Sequence, residues 1–241
     1  MLDTIKPDAR PLYAQVRDIL IERIHTGTWS PGQSLPSEMS LAAELGVSQG
    51  TVRKALNTMA DDSIIERRQG KGTYVTKHTS TQVLFKFFQI YEANGNRIEP
   101  GTGKSKLKIN RASKEVARSL KLKPGEEIIE ITRLRTHNNN PIIDELIILP
   151  RKLFSGLELQ KNLPNTLYDF YQRDYAITVS EVEENLTASV ATKKQAKELN
   201  LKEGAPLLVI DRIAADIEQT PIERRISYCT TDNLKYVAKL R

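Results

Sequence analysis

The stretch "PSEMSLAAELGVSQGTVRKAL" (residues 36–56) decides the fold of the N-terminal third. Ser37 is placed to cap a short helix over 38–45, with Ser40 rather than the Glu of a capping box in the third helical position. Gly46 ends that helix. Ser48 caps a second, over about 49–62, that turns Val52, Leu56 and Met59 inward. A corner this tight holds the second helix so that its first turn can enter a major groove. That turn is built from small polar residues, Ser48, Gln49, Gly50 and Thr51, which let the backbone approach phosphates while its free N–H groups favour an anion. Arg53 and Lys54 follow one turn later.

Working outward, residues 11–26 carry Leu12, Val16, Ile19, Leu20 and Ile24 at helical spacing, with Pro11 at the start and Gly27 at the end. Downstream, "SIIERRQGKGTYVT" (63–76) reads as two short strands around a glycine-containing hairpin. Three helices and a hairpin make a winged helix-turn-helix. The hairpin brings Arg67, Arg68 and Lys71 to a tip that can reach the backbone or the minor groove. The charge balance is local rather than global. Residues 1–78 hold 10 Lys and Arg against 9 Asp and Glu, a net of +1; residues 79–121 hold 9 against 3; the remainder holds 17 against 18. DNA binding by the first segment must therefore rest on the cluster formed by the second helix and the hairpin tip.

Residues 77–82, "KHTSTQ", lack apolar periodicity and are expected to link a DNA-binding domain over 1–76 to a second domain over 83–241. The second domain contains a repeat. "ASKEVARSLKLKPGEEIIEITRLR" (112–135) aligns with "ATKKQAKELNLKEGAPLLVIDRIA" (191–214) at an offset of 79 residues, matching Ser113 with Thr192, Gly125 with Gly204 and Arg133 with Arg212. Each copy reads helix, strand, hairpin, strand. Two such halves in one antiparallel sheet, with helices on one face, give an α+β domain. Between them, the residues from Leu167 to Tyr171 suggest a helix, and 176–190 alternates like a long strand.

Several function classes are excluded. The lone Cys229 permits no internal disulfide and no cysteine-based zinc cluster, and His25, His78 and His137 have no metal-ligand spacing. No cofactor is expected. "PGTGKS" (100–105) lacks the first glycine of a phosphate-binding loop, since position 98 is Ile98. No nucleophile–base set can be assembled, so no enzyme is expected. No apolar run approaches a membrane span and the N-terminus shows no signal-peptide core, so a reducing cytoplasm is the expected compartment. What the second domain does offer is strand-borne charge. Arg133 and Arg135 share one sheet face, Glu145 lies in the return strand, and Glu223, Arg225 and Ser227 share a face that Tyr228 does not. An Arg from each half suggests a cleft for an anionic small molecule, with Arg212 as the counterpart of Arg133, or else paired with Asp211 or Asp216.

Residues 35–75 closely resemble the DNA-binding domain of GntR-type bacterial transcription factors. "EIIEITRLRTHNNNPIIDELIILP", "TLYDFYQ" and "PLLVIDRIAADIEQTPIERRISY" resemble the UTRA effector domain of their HutC branch. The resemblance implies a chorismate-lyase-like sheet with helices, a homodimer on a two-fold-related DNA operator, and a small-molecule effector that changes the grip on DNA. It places the recognition-helix motif at Ser48, Thr51 and Arg53 and the wing at Gly70, Lys71, Gly72 and Thr73; the reading of the residues adds Ser37, Gln49, Lys54 and Arg68 as DNA contacts. It places effector contacts at Arg133, Arg135, Glu145, Thr166, Tyr168, Glu223 and Tyr228; Arg212 is added by the repeat alone. Departures exist. Met39 and Gln49 stand where many relatives are basic, and Gln favours adenine edges where Arg favours guanine. "YCTTDNLKY" lacks arginines common in relatives, and "VLFKFFQIYEANGN" lacks the Ser-rich loop of sugar-phosphate responders. Both departures point away from an amino-sugar phosphate and toward a smaller organic acid. An enzyme on the same lyase-like fold is the alternative class.

Overall fold

A computed structural model of the chain describes residues 10–62, 64–76, 87–160 and 162–238. The chain divides into two compact units, Met1–His78 and Thr79–Arg241, and the expected linker over 77–82 lies outside the described residues.

In the first unit, α1 (Leu12–His25) packs on α3 (Gln49–Asp61), and α2 (Glu38–Leu45) leads into the corner. The local signals act as read. The Ser37 hydroxyl accepts from the Ser40 amide, and the Ser48 hydroxyl accepts from the Thr51 amide, both at 3.1 Å. Gly46 closes α2 at φ 65°, a left-handed conformation that costs glycine nothing. Pro11 lies just outside α1 rather than in its first turn. Val16, Leu20, Leu41, Val52, Leu56 and Met59 are all but fully buried and form the seam between the helices. Strands β1 (Ile65–Arg68) and β2 (Gly72–Val75) pair antiparallel, with Ile65 and Val75 anchoring the base of the wing in the core.

The second unit is a six-stranded antiparallel sheet in the order β4 (Gly101–Arg111), β5 (Glu127–His137), β6 (Asn140–Pro150), β9 (Pro221–Thr230), β8 (Pro206–Asp216), β7 (Val179–Val190). This order reads the same from either edge under the sequence repeat: β5–β6 and β8–β9 are the matched hairpins, joined through β6 and β9 at the centre. The two repeat helices, α4 (Lys114–Ser119) and α6 (Lys193–Leu199), share one face, each reaching the central strand of the other half. The opposite face is not left bare, contrary to the one-sided arrangement expected from sequence. At one end it is covered by α5 (Leu167–Tyr175), whose Tyr168, Phe170 and Tyr171 pack with Phe154, Ile129, Ile131 and Ile147. At the other end lies a two-stranded ribbon of β3 (Ile90–Glu92) and β10 (Leu234–Tyr236), where Ile90 and Ile98 pack on Ile143, Ile210 and Cys229. Between these two apolar caps the strands carry charge.

Candidate functional site

Two sites emerge, one in each unit. In the first, the start of α3 and the wing present exposed residues: Ser48 at the cap, Gln49, Arg53 and Lys54 on the helix, and Arg67, Arg68, Gly70, Lys71 and Gly72 on the hairpin. Gly70 (φ 70°) and Gly72 (φ 109°) form the turn, and Thr73 lies one residue into β2. The hydroxyls of Ser37 and Ser48 are engaged as caps, and Thr51 Oγ1 lies 2.9 Å from Ser48 Oγ, so these residues shape the corner before they touch anything else. Lys54 turns away from Arg53 and sits 4.1 Å from the centre of the Tyr13 ring. Arg68 lies over the Tyr74 ring and pairs with Glu66. Arg67 is set back from the hairpin tip, where the sequence had put it: it pairs with Thr73 across the strands. Arg53, Arg67 and Gln49 all reach Glu38, a residue that sequence reasoning passed over.

The second site is the charged band across the middle of the sheet. Alternation along β5 turns Arg133 and Arg135 to the same face as Ile129 and Ile131, and register sets Arg133 opposite Glu145 on β6. Their side chains meet at 2.6 Å with both almost wholly buried. On β9, Arg225 bridges the site: it donates to Glu223 at 2.9 and 3.0 Å and lies 3.7 Å from Glu145. Tyr168 and Tyr171 of α5 donate to the two oxygens of Glu223 at 2.9 and 2.8 Å. Glu223 reaches α5 by the same alternation that carries Arg225, and its chain neighbour Ile222 joins that side because the β8–β9 register slips there by one residue. Arg212 pairs with Glu184 of β7, and also donates to the Phe87 carbonyl and meets the Tyr168 hydroxyl. The pairing with Asp211 or Asp216 expected from sequence does not occur: Asp211, one residue along, faces the other way and binds Arg224 at 2.7 Å.

Arg133, Arg135, Glu145, Thr166, Tyr168 and Arg212 line one cleft with about 40 Å³ of free volume, closed by Phe87, Phe88, Asn165, Leu167 and Arg225. Glu223 lies just behind its wall, as the acceptor for Tyr168. Tyr228 is not there. It falls on the other sheet face with Leu134, Leu199, Leu201 and Leu207, as strict alternation from Glu223 requires. Sequence reasoning also missed Phe87, Asn165 in a loop and Glu184 on the edge strand whose alternation it had read, and left Arg225 off the contacts although it shares the Glu223 face.

The electrostatics single out Arg135. The band holds Arg133, Arg135, Arg212 and Arg225 against Glu145, Glu184 and Glu223, one cation in excess. Among the described residues, Arg135 is the one of these four without a carboxylate partner. It is 2% exposed and donates to the Asn165 carbonyl at 2.8 Å, to Thr102 Oγ1 at 3.1 Å and to the Pro100 carbonyl at 3.3 Å, while its Nε has no acceptor among the described residues. Burial, then the neighbouring Arg133 charge, pulls its pKa down to about 9. Glu145 goes the other way. Burial alone would raise its carboxyl, but Arg133, Arg225 and Arg135 outweigh it and hold the pKa at about 2. Tyr168 is pushed up to about 12 by burial and the Glu223 charge, so it stays a hydrogen-bond donor at neutral pH. The first turn of α5 also faces this cleft. Thr166 precedes it without capping it by its side chain, and the start of a helix favours an anion.

Comparison with known proteins agrees with both units. Residues 12–75 match the family described as bacterial regulatory proteins, gntR family, and residues 96–235 match the UTRA domain. The chain is similar to the HTH-type transcriptional repressor NagR of Bacillus subtilis, at 29% identity over 94% of this chain and 93% of that protein. It is also similar to the mannosyl-D-glycerate transport/metabolism system repressor MngR of Escherichia coli, at 28% over 83% of each. Among solved structures, the ligand-binding domain of a GntR-family regulator from Bordetella bronchiseptica covers 64% of this chain and 98% of its own, at 28% identity and a TM-score of 0.57. PhnF from Mycobacterium smegmatis covers 94% and 99% at 20% identity with a TM-score of 0.55, a likeness of fold.

Proposed function

The chain belongs to the GntR family of bacterial regulatory proteins and carries a UTRA domain, and from that premise we propose that it represses transcription as a dimer whose hold on a two-fold-related operator answers to a small anionic metabolite. Its family and relatives regulate transcription and are not enzymes. On DNA, the first turn of α3 lies in the major groove with Gln49 and Arg53 toward base edges, and the wing brings Arg68, Lys71 and the Gly70–Thr73 backbone to phosphates. In the effector domain, the ligand's acid group sits against Arg135 and the start of α5, and Arg133, Glu145, Thr166, Tyr168 and Arg212 orient the rest.

The observation that carries the anionic reading is the buried Arg135 with no carboxylate partner. Its ionised form costs folding energy at neutral pH, because its pKa in the folded chain lies below its ordinary value. An anion that binds there offsets this cost, and it does so only in the folded state. The free volume is small, which favours a compact acid over a bulky sugar phosphate. The test is a thermal-shift screen of small carboxylates and phosphate esters against their neutral isosteres. Stabilisation of about 2.7 kcal/mol is expected at a hundredfold excess over Kd, from anions alone, and it should vanish in Arg135→Met. Neutral compounds stabilising as well as acids, or an undiminished shift in Arg135→Met, would refute the reading.

A further inference from the structure

Glu38 is the first residue of α2, where a carboxylate suits the positive end of the helix. That role needs no partner outside the helix, yet three donors from two other elements converge on this one side chain. Oε2 accepts from Arg53 Nε at 2.9 Å and from Gln49 Nε2 at 3.3 Å, both on α3; Oε1 lies 3.1 Å from Arg67 Nη2 on β1. The acid sits below its partners: the Glu38 side chain is 18% exposed, those of Arg53 and Arg67 55% and 40%. Burial raises its carboxyl pKa, but the hydrogen bonds from Arg53 and Gln49 and the charges of Arg53 and Arg67 bring it below the ordinary carboxylate range. It is therefore ionised at neutral pH, on the face that approaches a polyanion, where it subtracts one charge from a pair of arginines.

We propose that Glu38 is a positioning residue for base recognition, trading sequence-independent affinity for specificity. This rests on the reading that α3 faces the groove. Two consequences follow from which atoms Glu38 engages. It takes Arg53 by Nε, so the two terminal nitrogens, the fork that can meet two guanine acceptors, remain free and lose their freedom to swing onto a phosphate. It takes Gln49 by the amide nitrogen, because a carboxylate only accepts. The second amide N–H and the carbonyl oxygen remain for the duplex, now held in one orientation. The pinned amide can still meet the donor–acceptor edge of adenine, but only at the base it is aimed at. By joining α3 to β1 through Arg67, the same carboxylate also holds the wing in register with the recognition helix.

The test uses the full chain with duplexes of about 30 bp, one selected by the parent from a random-sequence pool and one a shuffled version of it. Glu38→Gln keeps the shape and removes the charge. It should bind the shuffled duplex several-fold more tightly, with a salt slope steeper by about 1, while the selected-to-shuffled ratio falls about tenfold. Repeating the selection with Glu38→Gln should relax the base preference at one position per half-site, where the Gln49 amide is no longer held by a charged acceptor. Glu38→Asp keeps the charge and the helix-start preference but shortens the reach; it should lower the ratio without altering the slope, which guards against a poorly folded first variant. A ratio and base preference within twofold of the parent in both variants would overturn the proposal. So would equal weakening on both duplexes with a lowered melting temperature, the mark of a merely structural residue. Arg53→Ala separates the premise: a chain that binds both duplexes like the parent would remove α3 from base reading, and Glu38 with it.

Discussion

Arg133 and Arg135 stand two residues apart on the same strand face, yet their removal should have opposite consequences. Arg133 neutralises Glu145 at 2.6 Å, and Arg225 at 3.7 Å is the next cation to it. Arg133→Ala strands a buried carboxylate and should cost about 3 kcal/mol of stability, read by denaturant unfolding. Arg135 has no such debt. The Pro100 carbonyl also accepts from Asn165 Nδ2 at 3.0 Å, and the Asn165 carbonyl lies within 3.5 Å of Arg133, so neither is orphaned by its loss. Arg135→Met should melt no lower than the parent while losing the response to anions, and a loss of stability equal to that of Arg133→Ala would contradict the assignment. Glu145 adds a pH signature. Its pKa is held at about 2 against an ordinary 4.5, a lowered value. Its contribution is therefore fully present above about pH 4.5 and is lost as pH falls toward 2. Glu145→Gln imitates the protonated side chain, so its stability should lie below the parent's at neutral pH and converge on it across that window.

At the level of elements, the proposed DNA face draws different kinds of contact from α3 and from the wing. In the proposed complex Arg53, on the helix, reads base edges, and Lys71, on the exposed hairpin turn, contacts phosphate. Lys71→Ala should weaken binding to all sequences alike and flatten the dependence of log affinity on log salt by about 1. Arg53→Ala should instead lower the ratio of selected to shuffled DNA. A salt titration of both variants on both duplexes checks this, and identical behaviour of the two would contradict the division of labour. In the effector domain the element that matters most is α5. Its aromatic face seals one end of the sheet, and two of its tyrosines hold Glu223, so the helix start that lines the cleft is fixed by the core beneath it. This is how a small cleft can be built rigidly from a loop, a helix terminus and four strands.

For the whole molecule, one helix-turn-helix unit reads too few base pairs for a specific regulator, and two copies on a two-fold-related site double the contacts. Light scattering of the full chain at micromolar concentration should give twice the chain mass, and a clean monomer would count against operator binding as proposed. The division between sequence and tertiary structure follows from the range of the forces involved. Caps, the Gly46 corner, the hairpin glycines and the 79-residue repeat are local or periodic signals, so the winged helix, the paired halves of the sheet and the face shared by Arg133 and Arg135 could all be read from the chain alone. Alternation even set Tyr228 apart from Glu223. Which charges pair is a different matter. Arg212 had two carboxylates nearby in sequence and binds a third, Glu184, 28 residues away, because antiparallel register and not chain proximity brings side chains face to face. The same holds for Glu38, whose three partners arrive from α3 and β1. And that Arg135 alone lacks a carboxylate emerges only when every other arginine of the band has found one, a property of the packed sheet that no stretch of sequence contains.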